Sequence, residues 1–282
     1  MDLRLDELIE RAVSEDLGPG DATTNACLPE GAVGRARLTA EGTGILSGMF
    51  IQDPLMGYVV NLVGEECGID NEDVKQDGKP IFKDETILII EGSLRVILAA
   101  ERVLLNFLQH LSGIATETSR YVAAVRGTDA MITATRKTVP GLRVVEKIAV
   151  QHGGGLSHRM GLYDGILIKD NHIAAAGGIA AAVTAAKRRA PHTLRIQVEC
   201  ETLEQVDDAL GAGADMLLLD NMSPESLRDA VSRGRGRVIL EASGGITLHN
   251  VRDVAETGVD RISVGVITNA AGILPMSLDV EG

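Results

Sequence analysis

The chain has no tryptophan, and only 2% of its 282 residues are aromatic. Its core must therefore be built from Leu, Val, Ile and Ala, a composition that suits buried parallel strands covered by helices. Cysteine is scarce as well: Cys27, Cys67 and Cys200 are scattered and show no CxxC spacing. That argues against a disulfide framework and against a zinc site, and it makes a reducing cytoplasm the expected location. No run of about 18 apolar residues occurs, so no membrane span is expected. The charged opening MDLRLDELIERAVSEDLGPGD lacks the apolar stretch of a signal peptide. Positive charge is in short supply: 27 Lys and Arg against 40 Asp and Glu leave a net charge of -13. Nucleic-acid binding needs a broad basic face and is not expected.

Against this acidic background one stretch stands out, Ala134 to His172, ATRKTVPGLRVVEKIAVQHGGGLSHRMGLYDGILIKDNH. It gathers Arg136, Lys137, Arg143, Lys147, Arg159 and Lys169 with three histidines, against only Glu146, Asp164 and Asp170. A basic pocket inside an acidic protein implies a small, highly anionic ligand.

Leu3 to Leu17 reads as an amphipathic helix ended by Gly18-Pro19-Gly20, and Asp21-Ala22-Thr23-Thr24 as a capping turn. From Ala32 to Glu91 the pattern is one of short strands with glycine turns. LRVILAAERVLLNFLQHLSG, Leu94 to Gly113, predicts a helix with Leu98, Val103, Leu105 and Leu108 on its apolar face. Glu101 and Arg102 lie in its middle. From Met131 onward strand and helix alternate: MITAT, GILIK, RIQVE, MLLLD, VILEA and RISVGV are apolar runs separated by helical stretches such as TLEQVDDALGAG and SPESLRDAVSRG. This rhythm predicts a parallel sheet. At least six strands with right-handed crossovers favour closure into a barrel, with an open doubly wound sheet as the alternative.

The strand ends favour the barrel. MITAT runs into Arg136-Lys137, GILI into Lys169-Asp170-Asn171, RIQV into Glu199, MLLL into Asp220-Asn221, VILEA into Ser243-Gly244-Gly245 and RISV into Gly265. In α/β barrels those ends form the active-site face. Arg presents a planar fork to carboxylates and phosphates, and Lys a compact charge. Backbone N–H groups at Ser243-Gly244-Gly245 and near Gly265 can cradle a phosphate. Glu199 and Asp220 could bind ribose hydroxyls, hold Mg²⁺, or stabilise a cationic transition state. One charged residue at a strand end is usually just solvated; complementary charge at six consecutive ends is not so readily dismissed. Glu241 and Asp170 taken singly read as structural ion-pair partners, His152 and His172 as structural histidines, and Cys200 as a small core residue. The glycines at 42, 44 and 48 open no helix and are weak evidence for a dinucleotide site.

At these residues the chain resembles the quinolinate phosphoribosyltransferase family, the carboxylating nicotinate-nucleotide pyrophosphorylases. The resemblance runs from Glu15-Asp16-Leu17-Gly18 and Thr23-Thr24 through Glu101-Arg102, Asn106-Phe107-Leu108 and Leu111 to Thr116. It continues in Thr135 to Thr138, Pro140 to Arg143, GGGLSHRMGLYD, Ile168 to His172, Leu219-Asp220-Asn221 and Ser243 to Ile246. It implies an N-terminal open α/β sandwich domain, residues 1–113 joined by 270–282, and a C-terminal α/β barrel of seven strands over 114–269. It further implies a homodimer with shared active sites, or a larger assembly, whose substrates are quinolinate and phosphoribosyl pyrophosphate. With Mg²⁺ the products are nicotinate mononucleotide, pyrophosphate and carbon dioxide, a step of de novo NAD synthesis.

Carried over, the resemblance assigns Arg102 to the partner subunit's quinolinate and Arg136, His158 and Arg159 to its two carboxylates. Lys137 and Lys169 fall to the pyrophosphate and phosphate groups, and Glu199 and Asp220 to ribose and metal. Together with Lys137 and Lys169 these two carboxylates make the catalytic set. Thr135, Ser243, Gly244, Gly245, Val264, Gly265 and Val266 complete the binding set. Three departures stand out: Gln197 where the family often has an acid, Asn269-Ala270 after Thr268 where it usually has Thr-His-Ser, and the tail GILPMSLDVEG. The rival readings are a phosphoribosyltransferase for another base such as nicotinate, a relative associated with molybdate transport, and a non-catalytic sensor of phosphorylated metabolites.

Overall fold

The computed structural model describes residues 5–70 and 74–281. The chain folds as two units, one of residues 1–117, 140–154 and 271–282, the other of 118–139 and 155–270.

The first unit begins with helix α1 (Leu5–Leu17), whose buried residues are Ile9 and Val13; positions 3 and 4 of the expected helix lie outside the described residues. The predicted capping turn is present. Asp21 accepts the N–H groups of Thr23 and Thr24 at 3.0 Å each and starts α2 (Ala22–Cys27). Hydrogen bonds from the Thr24 side chain and backbone hold the Asp21 carboxyl below its usual range. Strands β1 (Val33–Ala40) and β2 (Gly44–Ile45) follow.

The next element departs from expectation. The stretch Ala32 to Glu91, read as strands and turns, contains a helix, α3 (Met49–Val63). Its side chains are apolar nearly all round, and Pro54 lies within it, so its sequence lacks the contrast of an amphipathic helix. Its cap is not local. The Asp77 carboxylate accepts the N–H groups of Met49 at 3.0 Å and Phe50 at 3.1 Å.

Strands β3 (Cys67–Asp70), β4 (Pro80–Ile81) and β5 (Thr86–Ser93) complete this region. Helix α4 (Leu94–Ala124) then runs well past the expected end at Gly113. The main sheet of the unit has the order β12-β1-β5-β3, where β12 (Met276–Glu281) is the last strand of the chain, antiparallel to β1.

In the second unit β6 (Met131–Thr133) opens a parallel sheet. Helix α5 (Arg143–His152), next in the chain, belongs to the first unit, where its buried Glu146 meets His110 Nε2 at 2.9 Å. The sheet resumes with β7 (Ile166–Ile168), followed by α6 (Asp170–Ala176) and α7 (Ile179–Arg189). Then come β8 (Ile196–Cys200), α8 (Leu203–Ala212), β9 (Met216–Asp220), α9 (Pro224–Gly234), β10 (Ile239–Ser243), α10 (Val251–Ala255), β11 (Arg261–Ser263) and α11 (Val266–Asn269). Helices α8 and α9 start where the sequence supplies caps: Thr202 accepts the Gln205 N–H, and Ser223 the Ser226 N–H.

The strand order β6-β11-β10-β9-β8-β7 is that of an α/β barrel wall. Against the seven strands expected, six form ladders among the described residues. The segment between β6 and β7 joins as a single parallel bridge, Leu156 to Thr133, with Leu156 N donating to Ile132 O at 2.8 Å. Among the described residues no helix is long and apolar enough to cross a membrane.

Candidate active site

Because the six strands are parallel, their C-terminal ends fall on one edge of the second unit. Thr135 follows β6, Lys169 follows β7, Glu199 lies near the end of β8, Asp220 ends β9, Ser243 ends β10 and Gly265 follows β11. They line one cleft of about 510 Å³ together with Arg136, Lys137, His158, Arg159, Gly244, Gly245 and Val266. Residues far apart in sequence are thus brought together by strand geometry alone.

Local bonds fix several of them. Lys169 caps α6, its N–H donating to His172 Nδ1 at 3.1 Å, and its ammonium forms an ion pair with the Glu199 carboxylate. The Thr135 hydroxyl accepts the Lys137 N–H at 3.0 Å, while Thr268 Oγ1 donates to Lys137 O at 2.6 Å. Arg159 donates from Nη1 to Gly165 O at 2.9 Å, inside a loop closed by Asp164, which accepts the N–H groups of Met160 and Gly161. Burial presses the Arg159 guanidinium below its usual range, the Arg136 charge adds to this, and Asp164 opposes it. Two guanidiniums close enough to repel make a site that a shared anion stabilises.

Asp220 and the glycine turn form one unit. Asn221 donates from Nδ2 to Asp220 Oδ2 at 2.7 Å and from its backbone N to Ser243 O at 2.9 Å. Its φ of 54° is left-handed, a region that Asn tolerates better than most residues. Gly244, at φ 87°, packs so tightly on this side chain that a Cβ would lie 2.2 Å from Asn221 Oδ1. Asn250 Nδ2 braces the next residue by donating to Gly245 O at 2.9 Å.

The model of the quinolinate phosphoribosyl transferase N-terminal domain matches residues 21–112, and that of the C-terminal domain matches residues 114–279. The chain belongs to the quinolinate phosphoribosyltransferase family. It is 40% identical over 281 residues to the carboxylating nicotinate-nucleotide pyrophosphorylase of Mycobacterium leprae, covering 97% of this chain and 96% of the relative. The nicotinate-nucleotide pyrophosphorylase structure from Francisella tularensis superposes with TM-score 0.92 at 37% identity, over 100% of this chain and 98% of that one. The NadC structure from Streptococcus pyogenes gives 0.93 at 35% identity, over 100% and 99%.

Within this family member two residues named from sequence are not among those that line the cleft. Arg102 is on α4 in the first unit, its side chain 57% exposed and 3.8 Å from Glu101. Val264 is buried behind the wall, its N–H donating to Thr133 O at 3.0 Å. Other lining residues were not assigned to the site from sequence: Leu167, Leu218, Ser263, Ile246, Thr247 and Asn269. The first three had a signal. Each stands two residues before a strand-end residue, so the period-two alternation turns it to the same inner face. Asn269, one of the departures, lines the cleft itself.

Cys200 is fully buried, and burial, followed by the Glu199 and Asp208 charges, pushes its thiol up to about 12, as befits a core residue. His152 lies in the first unit with Nδ1 2.8 Å from Ser47 Oγ. Among the described residues no group of three His, Cys, Asp or Glu could hold a metal ion. The carboxylates of Glu199 and Asp220, on neighbouring strands, are instead the kind of partial donor set Mg²⁺ uses when phosphates supply the remaining oxygens.

Proposed function

We propose that this protein transfers the phosphoribosyl group of phosphoribosyl pyrophosphate to quinolinate and releases pyrophosphate and carbon dioxide, giving nicotinate mononucleotide for NAD synthesis. The observation that carries this reading is one cleft lined by Arg136, Lys137, Arg159, Lys169, Glu199 and Asp220. Quinolinate has two negative charges and the phosphoribosyl donor several, so the two repel unless cations neutralise them. Arg136, Arg159 and His158 take the ring carboxylates, and Lys137 and Lys169 the phosphates. Ser243, Gly244 and Gly245 offer backbone N–H groups to the 5′-phosphate.

The diphosphate competes with Glu199 for the Lys169 ammonium. The freed carboxylate, with Asp220, then faces the ribose, where positive charge develops as pyrophosphate leaves. Held in line, the pyridine nitrogen closes on the ribose carbon. The resulting pyridinium accepts the electron pair of the departing carboxylate, carbon dioxide is lost, and the ring carbon takes a proton. Mg²⁺, held by Glu199 and Asp220 directly or through water, would screen the pyrophosphate charge.

Purified protein with Mg²⁺ is expected to convert quinolinate, and not nicotinate, to nicotinate mononucleotide, read by chromatography and pyrophosphate release. Preferential turnover of nicotinate overturns the assignment. Pyrophosphate release from neither base would favour the sensor reading.

We infer a homodimer with shared sites, or a larger assembly, from Arg102. An exposed arginine on α4 that does not line the cleft supports a homodimer in which Arg102 completes the partner's site. Arg102→Ala and Lys137→Ala proteins are each expected to be inactive. Mixed and re-equilibrated, they should regain activity, because some heterodimer sites keep both residues. A verified heterodimer without activity would place Arg102 in its own chain's chemistry.

A further inference from the structure

One step below the strand-end residues, beside Leu167 and Leu218, the inner face of the barrel carries three polar side chains where branched apolar ones are usual. Gln197 of β8, Glu241 of β10 and Ser263 of β11 each precede a cleft residue by two positions, and all three are buried. Glu241 Oε2 accepts from Gln197 Nε2 at 2.9 Å, and Oε1 accepts from the Ser263 hydroxyl. The same Oε1 lies 3.7 Å from His158 Nε2. His158 Nδ1 accepts the Arg159 backbone N–H at 2.8 Å, which puts the ring proton on Nε2, toward the carboxylate. One edge of the imidazole is thus hydrogen-bonded, and the other faces the Glu241 carboxylate at ion-pair range. His158 and Arg159 also line both the cleft and a second cavity of about 240 Å³ that reaches Glu241.

We propose that Glu241 is a positioning residue: from inside the barrel its carboxylate sets the orientation and charge state of His158, and through that ring the backbone at Arg159, which tunes recognition of the substrate's carboxylates. The substrate part of this inference rests on the function proposed above. Gln197 gives the arrangement its character in this chain. An acid there would set a second carboxylate beside Glu241, and the pair would have to share a proton. The amide donates a hydrogen bond instead and leaves one carboxylate facing the histidine.

Burial pushes Glu241 up to about 7, opposed by the Gln197 hydrogen bond and the Arg261 charge, so both of its forms are populated near neutrality. The charged or titratable groups around it on the cavity wall are His158, Arg159 and Asp164 from the loop before β7, Arg195 at the start of β8, and Arg261 of β11.

The test is Glu241→Gln in the full-length protein, which keeps the shape and removes the charge. Nitrogen-15 spectra of histidine-labelled protein, with the His158 signal assigned by its loss in His158→Gln, read tautomer and titration midpoint without substrate. The midpoint is expected to fall by about one pH unit as the anion is lost, and Glu241→Asp, which keeps the charge, to restore most of it. In kinetics the KM for quinolinate should rise roughly tenfold while that for phosphoribosyl pyrophosphate stays within about twofold.

An unchanged His158 midpoint in folded Glu241→Gln overturns the proposal, as does an equal rise in both KM values. Should that variant not fold, Gln197→Met carries the test. Without the amide donor the carboxylate holds its proton more tightly, and the His158 midpoint should again fall; no shift overturns the proposal. If the wild type fails to convert quinolinate, the function reading fails, and the histidine titration still decides the Glu241–His158 coupling.

Discussion

Lys169→Ala is expected to lower kcat/KM for phosphoribosyl pyrophosphate by roughly tenfold or more; the lysine is 44% exposed, so solvent screens part of the charge that is removed. The lysine sits where β7 gives way to α6, and its ammonium is paired with Glu199, whose side chain is only 12% exposed. Alanine leaves that carboxylate in the cleft without its cation, so an anionic donor meets repulsion where it had attraction. Arg159→Ala should behave differently: quinolinate binding weakens while binding of the phosphoribosyl donor is largely spared. Arg159→Lys should not rescue it, because an ammonium cannot reproduce the planar fork. Calorimetric titration of each ligand into each folded variant reads the difference. Loss of the same ligand by similar amounts in both variants would show that the two anion sites are not separate.

The largest expected effect on stability is at Gly113. It lies inside α4, and a Cβ there would stand 1.9 Å from Gly272 O and 3.0 Å from Ile273 Cα, so the obstacle is backbone. Gly113→Ala must push the segment that leads into β12 away from the helix, and β12 closes the first sheet against β1. A loss of about 3 kcal/mol or more is expected, the upper end for overpacking. It should appear as a lower denaturant midpoint with an unchanged slope. Gly57→Ala is the control: its Cβ would meet nothing within 4 Å on the exposed side of α3. That change should be neutral or stabilise by up to about 1 kcal/mol through helix propensity. Equal stability of the two variants would contradict the close approach at Gly113.

A further consequence follows from Glu241. Its folded-state pKa is raised, so between about 4.5 and about 7 the folded protein binds more protons than the unfolded chain. This group's contribution to stability therefore declines as pH rises through that window. Glu241→Gln is expected to flatten that part of the stability–pH curve, measured by denaturant titration at several pH values. A curve as steep as that of the wild type would mean that Glu241 does not titrate there.

Much of the barrel was legible because each of its strands is a short apolar run flanked by its own helix and closed by its own charged or glycine-rich end. Lys169, Glu199, Asp220 and Ser243 could be picked out one strand at a time, since parallel strands present equivalent ends to the same edge. Helix α3 was not legible. Its faces lack contrast, and its cap is Asp77, 28 residues beyond Met49. The last third of α4 was hidden for a similar reason: Gly113 reads as a helix stop until its contact with Gly272 is known.

By itself, then, the sequence determined the strand-and-helix rhythm, the acidic surface and the types of group that meet the ligand, because these depend on local periodicity and side-chain chemistry. Only the tertiary structure decided that α5 packs with the first unit through Glu146 and His110, that β12 returns to β1, and that Glu241 lies beneath His158. Those outcomes depend on contacts between residues far apart in the chain, whose energies come from burial and from pairing partners that no local window contains.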